Sequence, residues 1–192
     1  GDGKYIVALS DGMGSGQKAA SQSRAAINLL EQFIEAGFDK DTTIKLINSI
    51  LILKSDDDSF ATIDMSVIDL YSSEVEFVKV GAVPTYIKRE DSVEVVKSVS
   101  LPAGILSDLE MELMHKKLTG GDFLIMMSDG IIDSFKEENG GEKALQEYIK
   151  NIKSTNPQEI ADRILDKAYE NSRRKPADDM MVLVAKVWER SA

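Results

Sequence analysis

Apolar positions along the chain alternate between two periods, and the places where the period changes carry most of its information. Tyr5 to Leu9 is a short apolar run of strand formers that runs out into Asp11-Gly12, and reads as a strand buried on both faces. From Gln17 the period becomes helical, with Ala20, Ser23, Ile27, Leu30 and Ile34 on one stripe and Gly37 as the C-terminal stop. A second helix is predicted from about Asp41, carrying Ile44, Ile47 and Leu51 on one face, widened by Leu46, Ile50 and Leu53. Thr62 to Leu70 alternates Ile63, Met65 and Val67 against Asp64 and Ser66, then turns at Ser72-Ser73 into Glu74 to Val80, which predicts an antiparallel hairpin.

Strand-like segments follow at Thr85 to Lys88, Val93 to Lys97 and Met111 to Leu118. Gly81, Pro84, Glu90-Asp91 and Pro102-Ala103-Gly104 separate them, a spacing too short for crossover helices, so the pairing is read as mainly antiparallel. Phe123 to Met127 is another apolar strand, and it too ends at Asp-Gly, here Asp129-Gly130. Two helices come next. Glu142 to Ile152 carries Leu145, Ile149 and Ile152, and the second starts with Asn156 as cap, Pro157 in its first turn and Glu159 completing a capping box. Arg173, Arg174 and Lys175 suit its C-terminal end, and Met180 to Trp188 is the last strand.

With 192 residues and 43% apolar content, the chain is read as one domain over 1–192. A buried strand starts within five residues of Gly1 with no partner ahead of it, which suggests an excised piece truncated at its N-terminus. A formal charge of -10 repels phosphate backbones and disfavours nucleic acid, and a cation is the more natural guest. The absence of cysteine removes disulfides, thiolate metal sites and every cysteine nucleophile. No apolar run approaches the roughly 20 residues of a membrane span. The piece is therefore expected to be cytoplasmic, without membrane contact of its own.

LSDGMG, MSDGII and PADDMMVLV share one arrangement, an apolar strand that begins or ends on aspartate. Three carboxylates brought together would repel one another unless divalent cations neutralised them. Magnesium and manganese prefer oxygen ligands, so three aspartates and a backbone carbonyl suit a two-metal site able to bind phosphate oxygens. For any single Asp-Gly a strand-terminating turn is the simpler explanation, and it is the three instances on apolar strands that favour the metal reading. GMGSG fits neither the Walker loop nor the dinucleotide fingerprint, so nucleotide binding is a weaker alternative. Ser10 or Ser128 could form a triad only through His115, the one histidine, which is read as a surface residue. Asp56-Asp57-Asp58 is read as a solvated loop, with a role as an extra metal ligand as its alternative.

With LSDGMGSG, the turn VGAVP, LPAGI, MMSDGI and ADDMMVLV in this order, the chain resembles the metal-dependent serine/threonine protein phosphatases of type 2C. More closely, it is similar to their bacterial branch named after the stage II sporulation protein E. The likeness covers nearly the whole chain, and its motifs are specific as an ordered set. It implies an α+β fold, a sandwich of two mainly antiparallel sheets with helices on both outer faces and two manganese or magnesium ions at one edge. Asp11 would bridge both ions, the Gly12 carbonyl would bind one, and Asp129 and Asp178 would complete the catalytic set. Asp179 stands where the wider family often has asparagine, and is expected to be an auxiliary ligand or a group behind the ligands.

The implied reaction is hydrolysis of a phosphoserine or phosphothreonine ester without a phosphoenzyme. The implied partner is a phosphorylated anti-anti-sigma factor, whose dephosphorylation activates a sporulation sigma factor. A stress-response phosphatase of the same branch, a non-catalytic adaptor and a nucleotide-binding domain are the alternatives. The parent would be anchored at the division septum, and monomer and homodimer both stay open. Two departures stand out. The family's preceding strand with its further aspartate is not in this chain, and no arginine or histidine near Asp11 matches those that bind phosphate in eukaryotic relatives, so the general acid is unassigned. The helices over Gln17 to Leu53, joined directly to Asp11 and Gly12, are expected to act as a switch on metal-site geometry, so that substituting Ile27 or Ile47 alters activity beyond any loss of stability.

Overall fold

The computed structural model describes residues 3–13, 16–53, 60–106, 111–136 and 140–188. The chain divides into two compact units, one of Gly1–Ala82 with Ser98–His115, the other of Val83–Lys97 with Lys116–Ala192. Each has its own apolar core.

The first unit contains β1 (Lys4–Leu9), α1 (Gln17–Glu35), α2 (Lys40–Leu53), β2 (Ile63–Asp69) and β3 (Glu74–Val80). β1, β2 and β3 pair antiparallel, with Leu9 opposite Asp64 and Asp64 opposite Lys79. β6 (Glu112–Lys117) completes the sheet in the order β1-β2-β3-β6. Its core joins Ala26 and Leu30 of α1 and Ile44, Ile47 and Leu51 of α2 to Ile63, Met65, Val78 and Val80. The expected face of α2 is the buried one, although Leu53 at its end is 85% exposed. Asp39 starts α2, its carboxylate accepting the Thr42 N–H at 3.0 Å and the Thr42 hydroxyl at 2.7 Å.

Three expectations need correction here. The buried stripe of α1 is Ala19, Gln22, Ala26 and Leu30, about one residue out of phase with the one read from the sequence, and Ala20 is exposed. The reason is steric: the chain at Gly12 presses on the first turn of α1, and only small side chains admit it. The first strand is not buried on both faces, since Lys4, Tyr5 and Ile6 of β1 are exposed, whereas the polar positions of β2 are closed off. Asp64 and Ser66 are fully buried, and the Lys79 ammonium meets the Asp64 carboxylate at 2.6 Å.

The second unit contains β4 (Thr85–Lys88), β5 (Val93–Val96), β7 (Phe123–Met127), α3 (Asp129–Lys136), α4 (Glu142–Asn151), α5 (Pro157–Asn171) and β8 (Val182–Lys186). Its sheet runs β5-β4-β7-β8, all antiparallel. Tyr86, Phe123, Ile125 and Met127 pack with Ile131, Phe135, Leu145, Ile149, Ile160 and Ile164 of the helices. Leu124 and Met126, on the opposite face of β7, are buried as well.

α3 is absent from the sequence reading, because Asp129-Gly130 looks like another turn and the eight-residue segment is too short to announce a period. In α5, Asn156 caps the Gln158 N–H at 2.9 Å as expected. Glu159 does not close the capping box directly. Ser154 is interposed, accepting the Asn156 N–H at 3.1 Å and donating to Glu159 at 2.7 Å. No helix among the described residues is long and apolar enough to cross a membrane.

Candidate metal centre

In the first unit, the Asp11 N–H donates to the Thr62 hydroxyl at 2.8 Å, and the Thr62 N–H donates back to the Asp11 carbonyl at 2.8 Å. The Met13 N–H then reaches the Phe60 carbonyl at 3.0 Å, so Gly12 faces Ala61 as an isolated antiparallel bridge. Because the hydrogen bonds fall on Asp11 and Met13, Gly12 is the non-bonded member of the ladder and its own N–H and C=O point away from the partner strand. Its carbonyl oxygen is therefore turned outside the ladder. A Cβ on Gly12 would stand 2.0 Å from the Ala19 carbonyl oxygen, so only glycine fits between strand end and helix.

In the second unit, Ser128 follows β7 and is 2% exposed. Its hydroxyl donates to the Asp179 carbonyl at 2.8 Å and accepts the Met181 N–H at 2.9 Å, while its own N–H donates to the Met181 carbonyl at 3.0 Å. A Cβ on Gly130 would meet the Asp179 carbonyl oxygen at 2.5 Å and the Asp178 carbonyl oxygen at 3.3 Å. The segments of Asp129 and of Asp178-Asp179 are thus locked backbone to backbone. Asp129 opens α3, where an acid in the first turn complements the helix dipole. The Asp178 carboxylate accepts the Asp179 N–H at 2.8 Å, and Asp129, Asp178 and Asp179 are all solvent-exposed.

Of the five positions read from the sequence, this unit holds Asp129, Asp178 and Asp179, their segments meeting through the backbone at Ser128 and Gly130, and the other unit holds Asp11 and Gly12. Among the described residues, no group of three or more Asp, Glu or His side chains stands ready to hold an ion. The local chemistry nonetheless fits a hard cation: exposed carboxylates, a carbonyl outside the ladder, and glycines where backbone must approach closely. Thr62 and Ser128 hold these segments in place, and sequence reasoning missed both roles, since a hydroxyl clamp has no periodicity.

The serine nucleophile alternatives are not supported. The Ser128 hydroxyl is committed to two hydrogen bonds, and the Ser10 hydroxyl is buried with no hydrogen-bond partner, hence no base. His115 is 68% exposed, 3.9 Å from Glu76. Gly14 and Ser15 of the glycine segment, and Asp56 to Asp58, lie outside the described residues.

The family model for stage II sporulation protein E matches residues 1–188. The chain is 40% identical over 184 residues to stage II sporulation protein E of Bacillus subtilis (strain 168), covering 96% of this chain and 22% of that protein. It therefore spans about a fifth of that relative's length. The structure matches the PP2C phosphatase domain of SpoIIE from Bacillus subtilis, solved with a fragment of its regulatory domain, with a TM-score of 0.91 at 39% identity over 98% of this chain and 56% of that one. A manganese-presoaked structure of that phosphatase domain matches with a TM-score of 0.65 at 31% identity, over 100% of this chain and 90% of that one. Two antiparallel sheets with flanking helices give the chain the fold of a PP2C-type phosphatase domain. The chain belongs to the stage II sporulation protein E family.

Proposed function

We propose that this domain is a divalent-metal-dependent phosphatase that removes phosphate from a serine of an anti-anti-sigma factor, with Asp11, Gly12, Asp129 and Asp178 as the ligand set and Asp179 in support. The observation that supports this reading is the lock between Ser128-Gly130 and Asp178-Asp179, which joins the backbone segments that carry Asp129 and Asp178 while both residues stay exposed. Family membership supports the reaction, and the anti-anti-sigma substrate follows from the family resemblance.

Two manganese or magnesium ions, when bound, supply the Lewis-acid charge that holds phosphoryl oxygens and activates water. The chain's own part is positional. Thr62 pins Asp11 through its hydroxyl and its backbone N–H, the ladder turns the Gly12 carbonyl outward, and Ser128 ties the Asp178-Asp179 segment to the end of β7. Pre-set ligands of this kind spare the site the reorganisation that mobile carboxylates would need.

The test is phosphate release from a phosphoserine anti-anti-sigma protein, with added manganese and with chelator, for the native chain and for Asp11→Asn and Asp178→Asn. Manganese-dependent release that both substitutions abolish is expected. No release by native chain, alone and in a form extended upstream, would instead mark a non-catalytic adaptor.

A further inference from the structure

Beside Asp178, within the second unit, lies a cavity of about 430 Å³ lined by Gly130, Asp133, Asn171, Arg173, Lys175 and Asp178 among others. That is within the usual size of small-ligand sites. Arg173, Arg174 and Lys175 follow α5 directly, and none of the three has an ion pair or side-chain hydrogen bond among the described residues. In a chain with 33 acidic against 23 basic side chains, three consecutive cations without a carboxylate partner are unexpected.

The backbone beneath them is also unusual. Arg173 and Arg174 adopt φ of 53° and 60°, a left-handed conformation that glycine takes freely and other residues resist. Three bonds hold the bend: Arg173 N–H to the Glu170 carbonyl, Arg174 N–H to Tyr169 and Lys175 N–H to Ser172, each 2.9 Å. A sequence shaped for stability alone would place glycine there. At the cavity wall, the Asn171 amide nitrogen is buried without a hydrogen-bond partner, a donor for which the protein supplies no acceptor.

We infer that Arg173 and Lys175 form the anion-binding rim of this cavity and hold the phosphoryl oxygens of the phosphoserine substrate, with Arg174 directed elsewhere. The inference rests on the phosphatase reading. Guanidinium and ammonium groups donating to a phosphate dianion form charge-assisted bonds, and losing one weakens binding by about tenfold or more.

Two measurements separate this inference from that reading. With manganese, Arg173→Ala and Lys175→Ala should each raise KM for the phosphoserine protein about tenfold, while Arg174→Ala changes it less than twofold. In chelator, calorimetric titration with inorganic phosphate should show about tenfold weaker binding to the Arg173→Ala/Lys175→Ala double variant than to native chain, whether or not the native chain turns over. Arg173→Lys should recover part of the loss. Equal phosphate binding by native and double variant, with both folded in urea titrations, overturns the inference, as does an equal effect of Arg174→Ala. Absence of native turnover with retained rim-dependent phosphate binding would count against the phosphatase reading alone.

Discussion

The Ser128 hydroxyl donates to the Asp179 carbonyl at 2.8 Å and accepts the Met181 N–H at 2.9 Å, so a single oxygen fastens the loop of Asp178-Asp179 to the end of β7. The two candidate ligand segments of this unit are therefore positioned by a side chain that carries no charge and touches no ion. Ser128→Ala would leave the Met181 N–H without its acceptor in a nearly closed environment, a loss of about 1–3 kcal/mol. Urea unfolding should register that loss. Manganese titration should register a larger proportional effect than the stability change predicts, since the variant loosens Asp178 relative to Asp129. Unchanged manganese affinity would show that the loop is held by other contacts.

Glycine at 12 is required by space rather than by conformation. A Cβ there would sit 2.0 Å from the backbone oxygen of Ala19, and the helix cannot give way cheaply. Gly12→Ala should cost about 1–3 kcal/mol through overpacking and displace the Gly12 carbonyl proposed as a metal ligand, abolishing turnover. Gly37→Ala is the control. Gly37 has φ of 87° with open space around it, so the change should cost about 1 kcal/mol by strain and leave turnover intact. Circular dichroism melts and phosphate release on both variants decide between the two effects.

The buried Asp64–Lys79 pair, 2.6 Å apart on neighbouring strands, is expected to be a weak source of net stability and a large liability when broken. Burial pulls the Lys79 ammonium below its ordinary pKa, and Asp64 opposes that shift. Lys79→Met alone should cost about 3–5 kcal/mol, whereas pairing it with Asp64→Leu should recover most of that loss. A double-mutant cycle in urea measures the coupling, and additive losses would refute it.

Tyr86 is fully buried and its hydroxyl has no hydrogen-bond partner. Burial, with Glu142 contributing, holds its phenol above the ordinary value of 10.0. The folded form resists ionisation that the unfolded chain undergoes, so this contribution is whole below about pH 10 and is lost as pH rises through the raised value. Tyr86→Phe should be neutral or stabilising by up to about 1–2 kcal/mol at pH 7, and should weaken the alkaline fall in stability. A costly substitution at pH 7 would mean that the hydroxyl is satisfied in solution.

Period and punctuation in the sequence determined most of the elements: the strands at Ile63–Asp69 and Phe123–Met127, the core face of α2, the Asn156 cap and the Asp-Gly strand ends are all local patterns. The ordered motifs also fixed the family. Tertiary structure alone decided the rest. The phase of α1 depended on how closely Gly12 approaches Ala19, and the polar face of β2 was buried because Lys79 arrives from the neighbouring strand to neutralise Asp64. The clamps by Thr62 and Ser128 join residues 51 positions apart in sequence, as does the packing of Gly130 on Asp179 to within two positions. Local periodicity reports on the next turn or pleat, whereas hydroxyl clamps, ion pairs and steric contacts form between segments that meet only once the chain has folded.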